Sequence, residues 1–173
     1  METIPVRIRA LLPDSLSRRI VDECTRAQAA FGFDDSLLRV PLPITLKEPY
    51  RIDDYDFSLR ALRDFFAGHG GFAAMTGQLA VLDGMLWLEV SPEPSLSRVH
   101  RNIDTILHSR FDVPEAAYDR DFRPHITLFR NEDEESLRTV ARRLEGRFDR
   151  ELFGVERILV ESPDRPDAVI ELA

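Results

Sequence analysis

The chain has 173 residues, of which 43% are apolar, and a formal net charge of −8. This length and apolar content suit a filled core, so we expect a single two-lobed domain over residues 1–173. The negative charge excludes a general attraction to duplex nucleic acid, and any nucleotide would have to be held by local groups. No apolar run approaches the ~18 residues that a membrane helix needs. We therefore expect a cytoplasmic protein without a membrane partner, and its strong preference for arginine over lysine suggests a GC-rich bacterial genome.

Hydrophobic periodicity, capping residues and glycine or proline breaks predict the regular elements. In the first part of the chain they are a strand over Val6–Leu12, a helix from Asp14 or Ser15 to Gly32, an extended segment over Val40–Lys47 and a helix from Asp56 or Ser58 to the loop at 68–71. They continue with strands over Phe72–Leu82 and Met85–Val90, a helix over Leu96–Phe111, a strand over Arg123–Arg130, a helix after the acidic capping segment Asn131–Glu135, and strands over Phe153–Glu161 and Ala168–Leu172. This order predicts two similar halves in which strands and helices alternate.

One short motif occurs once in each half, as Leu42-Pro43-Ile44-Thr45-Leu46 and as Pro124-His125-Ile126-Thr127-Leu128. Residues two apart share a face of a strand, so Thr127 shares its face with His125, and Thr45 shares its face with position 43. Two such strands beside one cleft would suit a phosphate. Threonine hydroxyls can donate to its oxygens, and an imidazole can move a proton near neutral pH.

With this repeated motif the chain resembles the two-histidine phosphoesterase superfamily, which includes bacterial 2'-5' RNA ligase-like proteins and RNA 2',3'-cyclic phosphodiesterases. The similarity extends over nearly the whole length. It is carried by Leu11-Leu12-Pro13, Ile44-Thr-Leu-Lys-Glu-Pro-Tyr50, Leu86-Trp-Leu-Glu-Val90 and Phe122-Arg-Pro-His-Ile-Thr-Leu-Phe-Arg130. The resemblance implies an α+β fold of two βα lobes, related by a pseudo-two-fold axis, whose antiparallel sheets face a central cleft.

The family signature is His-x-Thr or His-x-Ser, once per half. The resemblance therefore implies that His125 is catalytic and that Thr45 and Thr127 bind phosphate. Pro43 stands where the signature has its first histidine. Proline cannot transfer a proton, and loss of one acid–base partner typically costs on the order of 10²–10⁴ in rate.

Three explanations of Pro43 remain open from the sequence. The chain is a degenerate member that binds without turnover, or it retains slow catalysis by His125 with an ordered water. The third explanation is that Pro43 is an alteration, because a histidine codon and a proline codon can differ by one base.

Three cationic residues near the motifs are candidates for binding substrate. Lys47 is in phase with Thr45, so it either stabilises phosphate charge or is a solvated lysine at the end of the strand. Arg123 shares the face of His125, whereas Arg130 reaches the cleft only if the strand bends or ends there.

Three aromatic residues near the motifs are candidates for stacking on a base. A stack by Tyr50, Phe122 or Phe129 would be worth roughly 1–3 kcal/mol. The alternative is that these side chains belong to the core or to its rim.

His100, Asp104 and His108 are spaced by four residues, which places them on one face of the third predicted helix. This spacing suggests a divalent metal site, but the outer two residues are about 12 Å apart at 1.5 Å per residue, too far for one ion to bind all three. We expect a surface face, and neither a metal nor another cofactor.

The sequence therefore predicts a metal-independent phosphoesterase with weak activity, a hydrolase of RNA ends or cyclic nucleotides that acts as a monomer. The alternative is a catalytically degenerate protein that binds a nucleotide or an RNA end. A third possibility is a structural or partner-binding element, which would not require Thr45 and Thr127 to face a phosphate-sized space.

Overall fold

The computed structural model describes residues 3–91 and 94–173. The helices and strands in these ranges alternate much as predicted. In chain order they are β1 (Ile4–Leu11), α1 (Asp14–Gln28), β2 (Pro43–Ile52), α2 (Tyr55–Phe66), β3 (Phe72–Leu82), β4 (Met85–Ser91), α3 (Pro94–Phe111), α4 (Ala117–Arg120), β5 (His125–Arg130), α5 (Glu134–Leu144), β6 (Leu152–Val155), β7 (Arg157–Ser162) and β8 (Arg165–Glu171).

The strands form two four-stranded sheets, and every pairing within them is antiparallel. One sheet has the order β2-β1-β7-β8 and the other has the order β5-β4-β3-β6. The predicted α+β fold with two antiparallel sheets is thus confirmed. Each strand that carries a copy of the motif, β2 or β5, lies at the edge of its own sheet.

The predicted strand over Phe153–Glu161 is wrong, because the segment forms two strands in different sheets. β6 pairs with β3, whereas β7 pairs with β1. The buried side chains shift phase at this break: Phe153 and Val155 are buried before it, and Ile158 and Val160 after it. The apolar residues thus move from odd to even positions, and this change could have revealed the break between the two strands from the sequence.

The helices bury apolar residues toward the core, and α2 and α5 begin at side-chain caps, whereas α1 follows Pro13 without one. In α1 the buried residues include Ile20 and Cys24, and burial raises the pKa of the Cys24 thiol to about 12, as suits a packing residue. The Asp54 side chain accepts a hydrogen bond from the Phe57 amide at the start of α2. Asp133 caps α5 in the same way, which agrees with the capping role predicted for the acidic segment.

The apolar side chains of both sheets and of the helices form a continuous buried core. α3 packs against β2 of one sheet and β3 of the other, and β2 itself contacts β5. The two motif strands are therefore neighbours, although they belong to different sheets. Within the described ranges, no helix combines the length and the apolar character needed to cross a bilayer.

Candidate active site

The side chains of both motifs alternate between the core and the opposite face of the sheet. Ile126 and Leu128 are fully buried, whereas His125 and Thr127 are half-buried. In β2 the corresponding Thr45 is also half-buried, between two buried apolar residues. The polar residues of each motif thus lie on the face of their sheet that is turned away from the core.

His125 is held in place by a neighbouring ring and by a backbone carbonyl. Its imidazole stacks on Trp87, with ring centroids 3.8 Å apart and an angle of 11° between the planes. Its Nδ1 donates to the carbonyl oxygen of Arg123 at 2.8 Å. Among the described residues Nε2 has no hydrogen-bond partner, so this nitrogen is left for a ligand.

The surroundings of His125 favour its neutral form. Partial burial lowers the pKa of the imidazole, and the Arg123 carbonyl and the Glu48 carboxylate oppose that shift without reversing it. With the proton on Nδ1, the neutral ring presents Nε2 as an acceptor. This is the state that a general base requires.

An open groove of about 500 Å³ is lined by His125 and by residues of β3 and β4. Apolar and aromatic side chains provide most of its lining surface, and charged residues provide the rest. Its lining includes Met75, Gln78, Trp87, Glu89, Phe122, Arg123, His125 and Arg150, but neither Thr45 nor Thr127. The groove therefore extends away from the first motif and has room for more than a phosphate.

The first motif offers no group that can exchange a proton. Pro43 is the first residue of β2 and is half-buried opposite Leu11. Thr45 lies opposite Arg9, whose guanidinium is paired with Glu161 at 3.0 Å. Arg9 is thus a cation next to Thr45 that comes from a neighbouring strand, and the pattern of the motif alone gave no signal for it.

The predicted position of Lys47 on the face of Thr45 is wrong. Arg9 pairs with Thr45 and Ile8 pairs with Lys47, so Leu46 is an extra residue in β2. This bulge changes the phase of the strand, and Leu46 and Lys47 are both buried. The Lys47 side chain is 1% exposed, so it is neither a solvated residue nor available to a substrate.

Lys47 instead belongs to a buried ionic cluster with Asp104 and Asp119, and its ammonium is hydrogen-bonded to both carboxylates. The predicted surface position of His100 is wrong as well, because its side chain is 2% exposed. Ligand atoms of His100, Asp104 and Asp119 lie within 4.8 Å of one another, as in a metal site. The Lys47 ammonium already supplies a cation to the two carboxylates, so these residues do not fit a resident metal ion.

The two candidate arginines lie at opposite ends of β5. Arg123 is exposed, lines the groove and pairs with Asp121 at 2.8 Å. Arg130 lies at the far end of the strand opposite Met85, beside the β3–β4 turn, so its predicted approach to the cleft is wrong.

Of the candidate aromatic residues, Tyr50 and Phe129 are core residues, so the prediction that they stack on a base is wrong. Phe129 packs edge-on against Phe33, with ring centroids 5.4 Å apart. Phe122 lines the groove and stacks on His100 at 3.9 Å. Sequence position next to a motif did not distinguish these cases, because the side of the strand decides burial.

Tyr118 and Trp87 are site residues that the sequence analysis missed. The Tyr118 hydroxyl donates to the Thr45 carbonyl at 3.0 Å, and its ring lies 6.3 Å from that of His125. Tyr118 is in α4, a helix of four residues that is too short to produce a periodic pattern. Trp87 lies opposite Thr127 in the β4–β5 pair. Side chains alternate along β4, and this alternation could have indicated from the sequence that Trp87 faces away from the core.

Paired antiparallel sheets with a related motif on each edge strand are the architecture that the family resemblance implied. A family model described as the 2'-5' RNA ligase superfamily matches residues 12–167, and the chain belongs to this family. A comparison with curated protein sequences finds no significant match.

Solved structures share the fold across almost the full length of both chains. TT0787 of Thermus thermophilus has a TM-score of 0.65 at 14% identity, covering 98% of this chain and 96% of its own. LigT of E. coli complexed with ATP has a TM-score of 0.62 at 13% identity, with coverage of 100% and 96%. Usb1 of Kluyveromyces marxianus with uridine monophosphate has a TM-score of 0.62 at 12% identity, with coverage of 98% for both chains.

Proposed function

We propose that this protein is a metal-independent phosphoesterase of the 2'-5' RNA ligase type that acts on RNA ends or cyclic nucleotides, with activity reduced by Pro43. The observation that carries this proposal is that His125 lines an open groove and stacks on Trp87, with Nε2 unengaged among the described residues. Two of the similar structures contain ATP and uridine monophosphate, which supports a nucleotide as the ligand.

His125 acts as the general base in this proposal. For a 2',3'-cyclic phosphate, Nε2 takes a proton from the attacking water as the new P–O bond forms. The bond from phosphorus to one ribose oxygen breaks, and that oxygen takes its proton from solvent because Pro43 cannot supply one. The hydroxyls of Thr45 and Thr127 donate to the non-bridging oxygens.

The groove receives the nucleoside part of the substrate. Trp87 and Phe122 provide aromatic surface, and Arg123 and Arg150 stand at the polar rim. The indole N–H of Trp87 is buried and has no acceptor among the described residues, so it can donate to a bound group. Aromatic surface with cationic neighbours suits unstacked bases.

The second candidate is a protein of the same fold that binds a nucleotide or an RNA end without turnover, and Pro43 favours it. Both candidates would bind the ligand at His125 and in the groove that it lines. They differ in whether His125 moves a proton.

Hydrolysis of 2',3'-cyclic AMP by the full chain separates the two candidates. We expect slow turnover that falls by roughly 10²-fold or more in His125→Ala, because the base is lost. His108→Ala, at an exposed histidine on α3, is the matched control and should leave the rate unchanged. Equal rates in all three proteins would remove His125 from the mechanism, whereas binding without turnover would favour the second candidate.

A further inference from the structure

The outer edge of β2 is covered by side chains from α3 and α4. An edge strand has backbone groups that its own sheet leaves unpaired, and these need partners from elsewhere. The Tyr118 hydroxyl donates to the Thr45 carbonyl at 3.0 Å, and His100 Nδ1 donates to the Leu46 carbonyl at 2.7 Å. We call the residues that make and receive these contacts, together with the adjoining ionic cluster, the edge clip. Its members are Thr45, Leu46, Lys47, His100, Asp104, Tyr118 and Asp119.

The ionic part of the edge clip ties the same stretch of β2 to both helices. The Lys47 ammonium bonds to Asp104 of α3 and to Asp119 of α4. Asp119 also accepts from the amide of Ala116 at 2.7 Å, and its carbonyl lies 3.1 Å from Nε2 of His100. Because Lys47 and Asp119 are buried, removal of the ammonium would leave the Asp119 carboxylate without a compensating charge.

The edge clip lies at the bulge of β2. Leu46 has no partner of its own in the register of β1, so the ladder between the two strands is interrupted beside Thr45. A bulge bends a strand and disrupts its pairing locally. The contacts from α3 and α4 therefore add restraints to β2 at the point where its pairing with β1 is interrupted.

The same side chains also reach the second motif. The Tyr118 ring meets the His125 ring nearly edge-on, at 78°. Phe122 packs between the clip and the groove, with its ring stacked on His100 and edge-on to Tyr118. One set of side chains thus touches the backbone of the first motif and the imidazole of the second.

We infer that the edge clip sets the position of the first motif relative to the second, and that Tyr118 is a positioning residue for the phosphate site. This inference rests on the proposed function, because it takes Thr45 and His125 to contact one ligand. The role that the sequence suggested for Lys47 is thereby replaced by an indirect one. Lys47 holds the strand that carries Thr45, without contacting the ligand.

The test compares Tyr118→Phe with Tyr50→Phe in the full chain. The first change removes the hydroxyl that bonds Thr45 and keeps the ring, whereas the second removes a buried hydroxyl of β2 that faces Ser58. Trp87 is the only tryptophan of the chain, so its emission reports binding of adenosine 3'-monophosphate next to His125. We expect Tyr118→Phe to weaken this binding roughly fivefold, and Tyr50→Phe to leave it unchanged.

Two further measurements separate positioning from general stability and from failure of the proposed function. Asp104→Asn should weaken nucleotide binding in the same direction as Tyr118→Phe. The second measurement is an NMR spectrum of Tyr118→Phe without ligand. The ring signals of His125 and Trp87 should shift, even though the hydroxyl that is removed bonds Thr45 in the other motif. Unchanged affinity together with unchanged ring signals would overturn the inference. If the unmodified chain does not bind the nucleotide at all, the proposed function fails, and the ring signals still show whether the clip couples the motifs.

Discussion

β2 and β5 carry the same Ile-Thr-Leu triplet at the edges of two sheets, but their surroundings differ. In β5 the triplet follows His125, whose ring is stacked, partly desolvated and open to a groove. In β2 it follows Pro43, and the strand is covered by the edge clip, whereas a bulge at the leucine after the threonine is common to both strands. The copy in β5 therefore keeps a group for proton transfer, whereas the copy in β2 keeps the Thr45 hydroxyl but no acid or base.

Introduction of a histidine at position 43 is expected to have the largest effect on the difference between the two motif strands. Pro43→His places a second imidazole on the face of Thr45, so protonation of the leaving oxygen no longer depends on solvent. We expect kcat/KM for 2',3'-cyclic AMP to rise by roughly 10²–10⁴. Pro43→Ala is the matched control, because it removes the proline without adding an acid or a base. An equal gain in both variants would show that the proline ring itself, and not the absent imidazole, limits the rate.

The buried and exposed cations of the two motif strands should respond very differently to removal. Lys47→Met leaves two carboxylates without their ammonium, so we expect it to lower the free energy of unfolding by about 3–5 kcal/mol. Arg123→Met breaks an exposed ion pair with Asp121, and it should change the free energy of unfolding by less than about 1 kcal/mol. Urea unfolding followed by circular dichroism measures both. A Lys47→Met protein that is as stable as the unmodified chain would contradict the buried ionic cluster.

The dependence of activity on pH should reflect one imidazole. Because burial lowers the pKa of His125, the base is neutral above a value that lies below the ordinary histidine value of about 6.5. Activity should therefore fall as the pH drops through that pKa and stay level above it. The measurement is kcat/KM for 2',3'-cyclic AMP from acid to mildly alkaline pH. A symmetrical bell would require a second titrating group and would contradict the single-imidazole account.

The comparison of the two strands also shows what the sequence could predict. The motif and its place on two strands followed from local patterns, because strand periodicity and turn residues act over a few positions, whereas the α+β fold was what the family resemblance implied. Lys47 was misplaced because a single-residue bulge reverses the phase of a strand, and no residue type marks that bulge. Tyr118 was missed because its contact with Thr45 spans 73 positions and begins from a helix of one turn.

The same limit explains the errors at His100 and at the last strands. The helical spacing of His100 and Asp104 was recognised, but only the tertiary structure brings Asp119 and Lys47 to that face. The apolar residues after Phe153 predicted strand correctly, but the assignment of β6 and β7 to different sheets depends on pairing with β3 and β1. The burial of His100 and the sheet to which each strand belongs both depend on residues that are close in space but distant in sequence.

The most direct test of the central claim, that Thr45, Thr127 and His125 surround one phosphate, is a titration of Trp87 emission with adenosine 3'-monophosphate. We expect a saturable change whose dissociation constant rises roughly fivefold in each of Thr45→Val and Thr127→Val, because each loses one hydrogen bond of about 1 kcal/mol. Thr139→Val, at a half-buried position of α5 outside the groove lining, should bind as the unmodified chain does. No saturable change, or equal affinity in all four proteins, would contradict the account.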